Sequence, residues 1–113
     1  MVILCVLMSS LHAQAVGPEE ASKYIGQKKT VCGKVFGGRF LENAKDGPTL
    51  LNVGAAYPNN PFTFVIFAND RKKFSFKPEE FLIDKNVCVT GDIKDYRGKP
   101  EIILSDSTQI MIK

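Results

Sequence analysis

The chain has 113 residues, 44% of them apolar and 24% charged, with a formal net charge of +3. That length argues for one domain, and that balance excludes an intrinsically disordered chain. The charge is mildly positive, short of the strong basic excess that by itself marks a nucleic-acid binder.

Residues 1–15 read as a secretory signal peptide. Val2 to Met8 form a short apolar run, and Ala13-Gln14-Ala15 follow as a small-x-small cleavage pattern. The run is too short for a membrane span. No Lys or Arg precedes it, which departs from the usual form, and a buried N-terminal strand or helix is the alternative. Cys5 follows the bulky Leu4, which argues against lipid attachment. The single histidine, His12, falls in this segment. A mature chain of residues 16–113 would then carry none, which removes Ser-His and Cys-His nucleophile pairs and most zinc sites. The expected location is periplasmic or secreted.

Residues 17–26 have the marks of a short helix. Pro18 suits the first turn, Glu19 and Glu20 favour the positive end of the helix dipole, and Gly26 suits the position after the end. Ala21, Tyr24 and Ile25 would face the core. Residues 28–36 form the expected first strand. Gly37-Gly38 and residues 43–48 bracket a loop. Residues 49–53 form the second strand, ended by Gly54. Tyr57-Pro58-Asn59-Asn60-Pro61 is a turn, and residues 62–67 are the β-prone third strand. Residues 77–82 read as one helical turn started by Pro78.

From residue 87 the pattern has period two. Val87, Val89, Gly91 and Ile93 share one face, and Cys88, Thr90, Asp92 and Lys94 share the other, as in a half-buried fourth strand. Tyr96-Arg97-Gly98-Lys99-Pro100 breaks it as a turn. Residues 101–104 begin the fifth strand, which can run on through residues 109–112. An echo of the fourth strand lies at Val31-Cys32-Gly33-Lys34-Val35.

This order, with its local sequences, resembles bacterial exported OB-fold proteins of the nucleic-acid-binding type. The segments that carry the likeness are Tyr24 to Val35, Pro48 to Gly54, Val87 to Gly91 and Tyr96 to Ile102, within residues 18–112. The resemblance implies an all-β domain at 16–113. Its fold would be a five-stranded OB-fold barrel with a short helix between strands 3 and 4 and an N-terminal helix. In such a barrel the first and fourth strands are neighbours. Cys32 and Cys88 share an outward parity on them, so a disulfide across 56 residues is expected, with two free thiols as the alternative. Its closure would be worth about 4 kcal/mol.

OB-folds that bind single strands stack bases on aromatics and hold the backbone with basic loops. The candidate nucleic-acid-binding residues are Arg39, Tyr57, Phe62, Phe64, Arg71, Lys72, Lys73, Tyr96, Arg97 and Lys99. Phe62 and Phe64 share one face of strand 3, where core filling competes with stacking. Arg71, Lys72 and Lys73 belong to a run at residues 70–77 whose net charge of +3 equals that of the whole chain. No glycine-rich phosphate cradle follows a strand, and Asp92, Asp95 and Glu101 do not assemble a metal-binding carboxylate cluster. The expectation is a non-enzymatic binding module with no catalytic residue, no metal and no cofactor. Its expected partner is single-stranded nucleic acid, bound with little sequence preference. The alternative is a module for a protein, an oligosaccharide or another small ligand.

Overall fold

The structure, a computed structural model, describes residues 14–113. The expected signal segment, with its apolar run, Cys5 and His12, lies outside the described residues except for its last two positions. No helix among the described residues is long and apolar enough to cross a membrane.

A 3-10 helix, Pro18–Tyr24, opens the described fold, with proline at its start and Glu19 and Glu20 in the first turn. Ala21 is fully buried and Tyr24 packs against the core. Ile25, expected inside, is at the surface. It precedes Gly26, whose φ of 95° turns the chain out of the helix.

Strand β1, Lys28–Phe40, is longer than expected and runs straight through Gly37-Gly38. Gly38 serves close approach here. A Cβ on Gly38 would stand 2.8 Å from the Leu51 side chain and 2.9 Å from the Leu50 carbonyl. An irregularity between Val35 and Gly37 splits the strand's partners. Residues 28–34 pair antiparallel with β4, Asn86–Asp92, while residues 35–40 pair antiparallel with β2, Thr49–Val53. Such a bulge bends a strand and lets it serve two partners.

Strand β3, Phe62–Ile66, pairs antiparallel with β2. Two short helices follow, α1 (Ala68–Arg71) and α2 (Pro78–Phe81), where one was expected. The expected fourth strand breaks at Ile93. That residue is buried, accepts from Gly26 N and donates to the Gln27 carbonyl, so the chain is pinned there to the 26–27 turn. Strand β5, Lys94–Tyr96, then pairs antiparallel with β6, Lys99–Ile103. Arg97 and Gly98 join them with φ values of 52° and 88°, the two successive left-handed residues of a type I′ hairpin. Strand β6 runs parallel to β3.

The fifth strand does not continue to residue 112. Asp106 caps a 3-10 turn, Ser107–Gln109, in a reciprocal box with Gln109, and β7 (Ile110–Ile112) then pairs with β4. The result is a seven-stranded sheet in the order β5-β6-β3-β2-β1-β4-β7, rather than a five-stranded barrel. Its two end strands do not pair with each other, so the sheet is not closed. It curls around one apolar cluster that includes Leu51, Phe62, Phe64, Ile66, Ile102 and Leu104. The Cys32–Cys88 disulfide is formed between directly opposite residues of β1 and β4.

Candidate nucleic-acid interface

Strand alternation decides what reaches the outer surface. On β2, Thr49, Leu51 and Val53 are buried, which turns Leu50 and Asn52 outward. On β3, Phe62 and Phe64 are fully buried and Thr63 faces out. On β6, Pro100 and Ile102 are buried and Lys99 and Glu101 are not. Register then aligns the outward positions: Asn52 lies opposite Thr63, Thr63 beside Glu101, and Glu101 opposite Lys94.

A groove of about 350 Å³ runs over this face, between the 57–60 turn and the β5–β6 hairpin. Tyr57, Tyr96, Arg97 and Lys99 line it. A smaller extension of about 140 Å³ shares Leu50, Asn52 and Tyr57 and reaches Arg39. Five of the expected residues thus meet in one place. Tyr57 and Tyr96 are 73% and 55% exposed, enough to leave ring surface open for stacking. The Arg97 guanidinium lies 5.3 Å from the Tyr96 ring centroid, so the two act as one cationic aromatic unit. Lys99 Nζ donates to the Pro58 carbonyl at 2.8 Å and approaches the Asn60 carbonyl at 3.4 Å. It therefore ties the hairpin to the opposite wall.

Four expected residues behave otherwise, and a fifth lies elsewhere. Phe62 and Phe64 point into the core, so neither can stack a base. Arg71 is engaged inside the protein. Its guanidinium makes a bidentate pair with Glu79 at 2.8 and 3.0 Å, donates to Thr49 Oγ1 at 2.7 Å and lies over the Phe40 ring at 3.8 Å. The hydrogen bonds from Arg71 hold the Glu79 carboxyl below its usual range. Lys73 pairs with Asp70 at 2.9 Å and donates to the Ser105 carbonyl at 3.0 Å. Lys72 is exposed, in a concavity with Phe40, Phe74 and Phe76 that shares no lining residue with the Tyr57 groove. Two of the four basic residues of the run, Arg71 and Lys73, are thus internally paired.

Sequence reasoning missed the polar floor: Asn52, Asn60, Thr63 and Glu101. For Asn52, Thr63 and Glu101 the available signal was a single polar residue at the outward parity of a strand that is otherwise largely apolar. Asn60 is buried, and its Nδ2 donates to the Phe62 carbonyl and to Thr63 Oγ1. Burial pushes the Glu101 carboxyl above its ordinary value. Among the described residues, no group of three or more His, Cys, Asp or Glu side chains gathers to hold a metal.

No family model matches the chain. No curated protein matches it either. Among solved structures, the chain is similar to a protein assigned as an aspartyl-tRNA synthetase from Leishmania major Friedlin. The two share 9% identity and a TM-score of 0.55 over 88% of this chain, which spans 20% of the length of that protein. At that identity the likeness is one of fold.

Proposed function

We propose that this domain is an exported, OB-type, non-enzymatic module that binds single-stranded nucleic acid in the Tyr57–Tyr96 groove. The observation that carries this reading is the convergence of Tyr57, Tyr96, Arg97, Lys99 and Arg39 on one open face. Bases have flat π faces that stack on exposed tyrosines, and the phosphates between them seek the arginines and the lysine.

Three further observations support it. The meander β1-β2-β3, with β4 against β1 and β6 parallel to β3, follows OB connectivity, with β5 as the far half of a broken fourth strand. The similar solved structure is, by its description, an enzyme that acts on tRNA. The disulfide supports an oxidising compartment, periplasmic or extracellular.

Few cations line the groove, so binding should be weak and salt-sensitive. The test is fluorescence anisotropy of a labelled single strand across a salt series. Binding that weakens as salt rises, and that Tyr96→Ala reduces, is expected. No binding at low salt overturns the reading in favour of a protein or saccharide ligand.

A further inference from the structure

The floor of the groove carries one carboxylate, Glu101, and one buried amide oxygen, that of Asn60. Glu101 lines the groove, beside Thr63 and opposite Lys94 in register. Its carboxylate is only partly exposed, and it is absent from the salt bridges formed among the described residues. Asn60, 3% exposed, lines the same groove, and its Oδ1 has no hydrogen-bond partner. Acceptors left uncompensated in a partly dry site cost free energy, and a ligand that brings hydrogen-bond donors removes that cost.

The donors available on nucleobases differ. Guanine presents N1–H and N2–H side by side on one edge, matching the two oxygens of a carboxylate. Adenine and cytosine set an acceptor next to their amino group, which a carboxylate repels. Thymine and uracil place a single N–H between two carbonyls.

We propose that the groove prefers guanine within a single strand. Glu101 accepts from N1–H and N2–H while Tyr57 or Tyr96 stacks on the ring. This rests on the single-strand reading and adds a base specificity that stacking alone does not give. The rim cations hold the flanking phosphates and let an acidic residue sit in a site for a polyanion.

The test compares an all-thymidine strand with the same strand carrying one central guanine or one central inosine, which lacks the N2 amino group. Guanine should bind about tenfold tighter than thymidine, as a bidentate contact does, with inosine between them. Glu101→Gln and Glu101→Ala should each abolish the guanine advantage. Both should bind the all-thymidine strand at least as well as the native protein, since a negative charge leaves the groove. Equal, salt-sensitive affinity of the native protein for the guanine and thymidine strands overturns the guanine assignment and leaves the single-strand reading standing. So does a guanine advantage that survives Glu101→Gln. If neither strand binds at low salt, both readings fall.

Discussion

Gln109 Nε2 donates to the carbonyl of Thr90 at 3.0 Å, and to that of Ile103 at 3.3 Å. One side-chain amide thus bridges β4 and β6, which share no ladder in the sheet. The other end of the same amide accepts from Ser105 N at 2.8 Å and Asp106 N at 3.0 Å. This amide adds hydrogen bonds across a seam where Gly91 of β4 also packs closely against Ile102 of β6. Gln109→Ala should destabilise the fold by about 1–3 kcal/mol, since several backbone groups lose partners together. Denaturant unfolding checks this, and an unchanged midpoint would count against the seam.

The disulfide should matter more. Closing 56 residues constrains the unfolded chain by about 4 kcal/mol. Chemical reduction, or Cys32→Ala with Cys88→Ala, should lower the unfolding midpoint by that order. Oligonucleotide affinity measured well below the midpoint should hardly change, because most of the groove lies on β2, β3, β5 and β6, and Arg39 of β1 is held by its pairing with β2 rather than with β4. A large loss of affinity in folded, reduced protein would contradict this separation.

Arg71 and Arg97 should trade roles between the two assays. Arg71→Ala leaves Glu79 without its partner in a largely buried setting, where the side chains are 16% and 15% exposed, and should cost about 2–3 kcal/mol. It should leave binding unchanged. Arg97→Ala should leave stability unchanged and lower the slope of log affinity against log salt by about 0.7. The reverse pattern would place the phosphate contact at Arg71.

Glu101 gives a prediction with a sign. Its folded pKa is raised above the ordinary value of 4.5 by burial. The folded state therefore holds its proton more tightly than the unfolded state, and stability falls as pH rises from the ordinary carboxylate range through the raised value. Glu101→Gln should raise the unfolding midpoint at neutral pH, and the gain should vanish below pH 4.5. An equal gain at both pH values would assign the effect to something other than charge.

How much was legible in the sequence follows from how local each signal is. The alternation at 87–93 and the bounds of β2 are short-range patterns, and the structure reproduces both. The outward parity of Cys32 and Cys88 also survives, because parity is a property of each strand alone. Gly37-Gly38 read as a loop because glycine usually ends strands. Here the facing Leu51 needs the space, which only tertiary structure reveals. Arg71 read as a free cation because its partners are distant in sequence: Glu79 comes from α2, Thr49 from β2 and Phe40 from β1, and they meet only in the folded chain. Phe62 and Phe64 were correctly placed on one face, but the sequence does not say which face is inside. The groove's tyrosines stand in turns, which declare exposure, while Glu101 sits between Pro100 and Ile102 on a strand and Asn60 is a turn residue that only the folded chain buries.

The irregularity in β1 divides one strand between two alignments. Residues 28–34 count along β4 and residues 35–40 count along β2, on the same continuous backbone. A slip of one residue against either partner would turn alternate side chains of that half to the wrong face. The bond between Cys32 and Cys88 forbids such a slip on the β4 side, and the bulge lets the second half of the strand take its own register from β2. The cystine thus works as a key that indexes the first half of β1, while the ladder with β2 independently sets Arg39 opposite Leu50 at the edge of the groove.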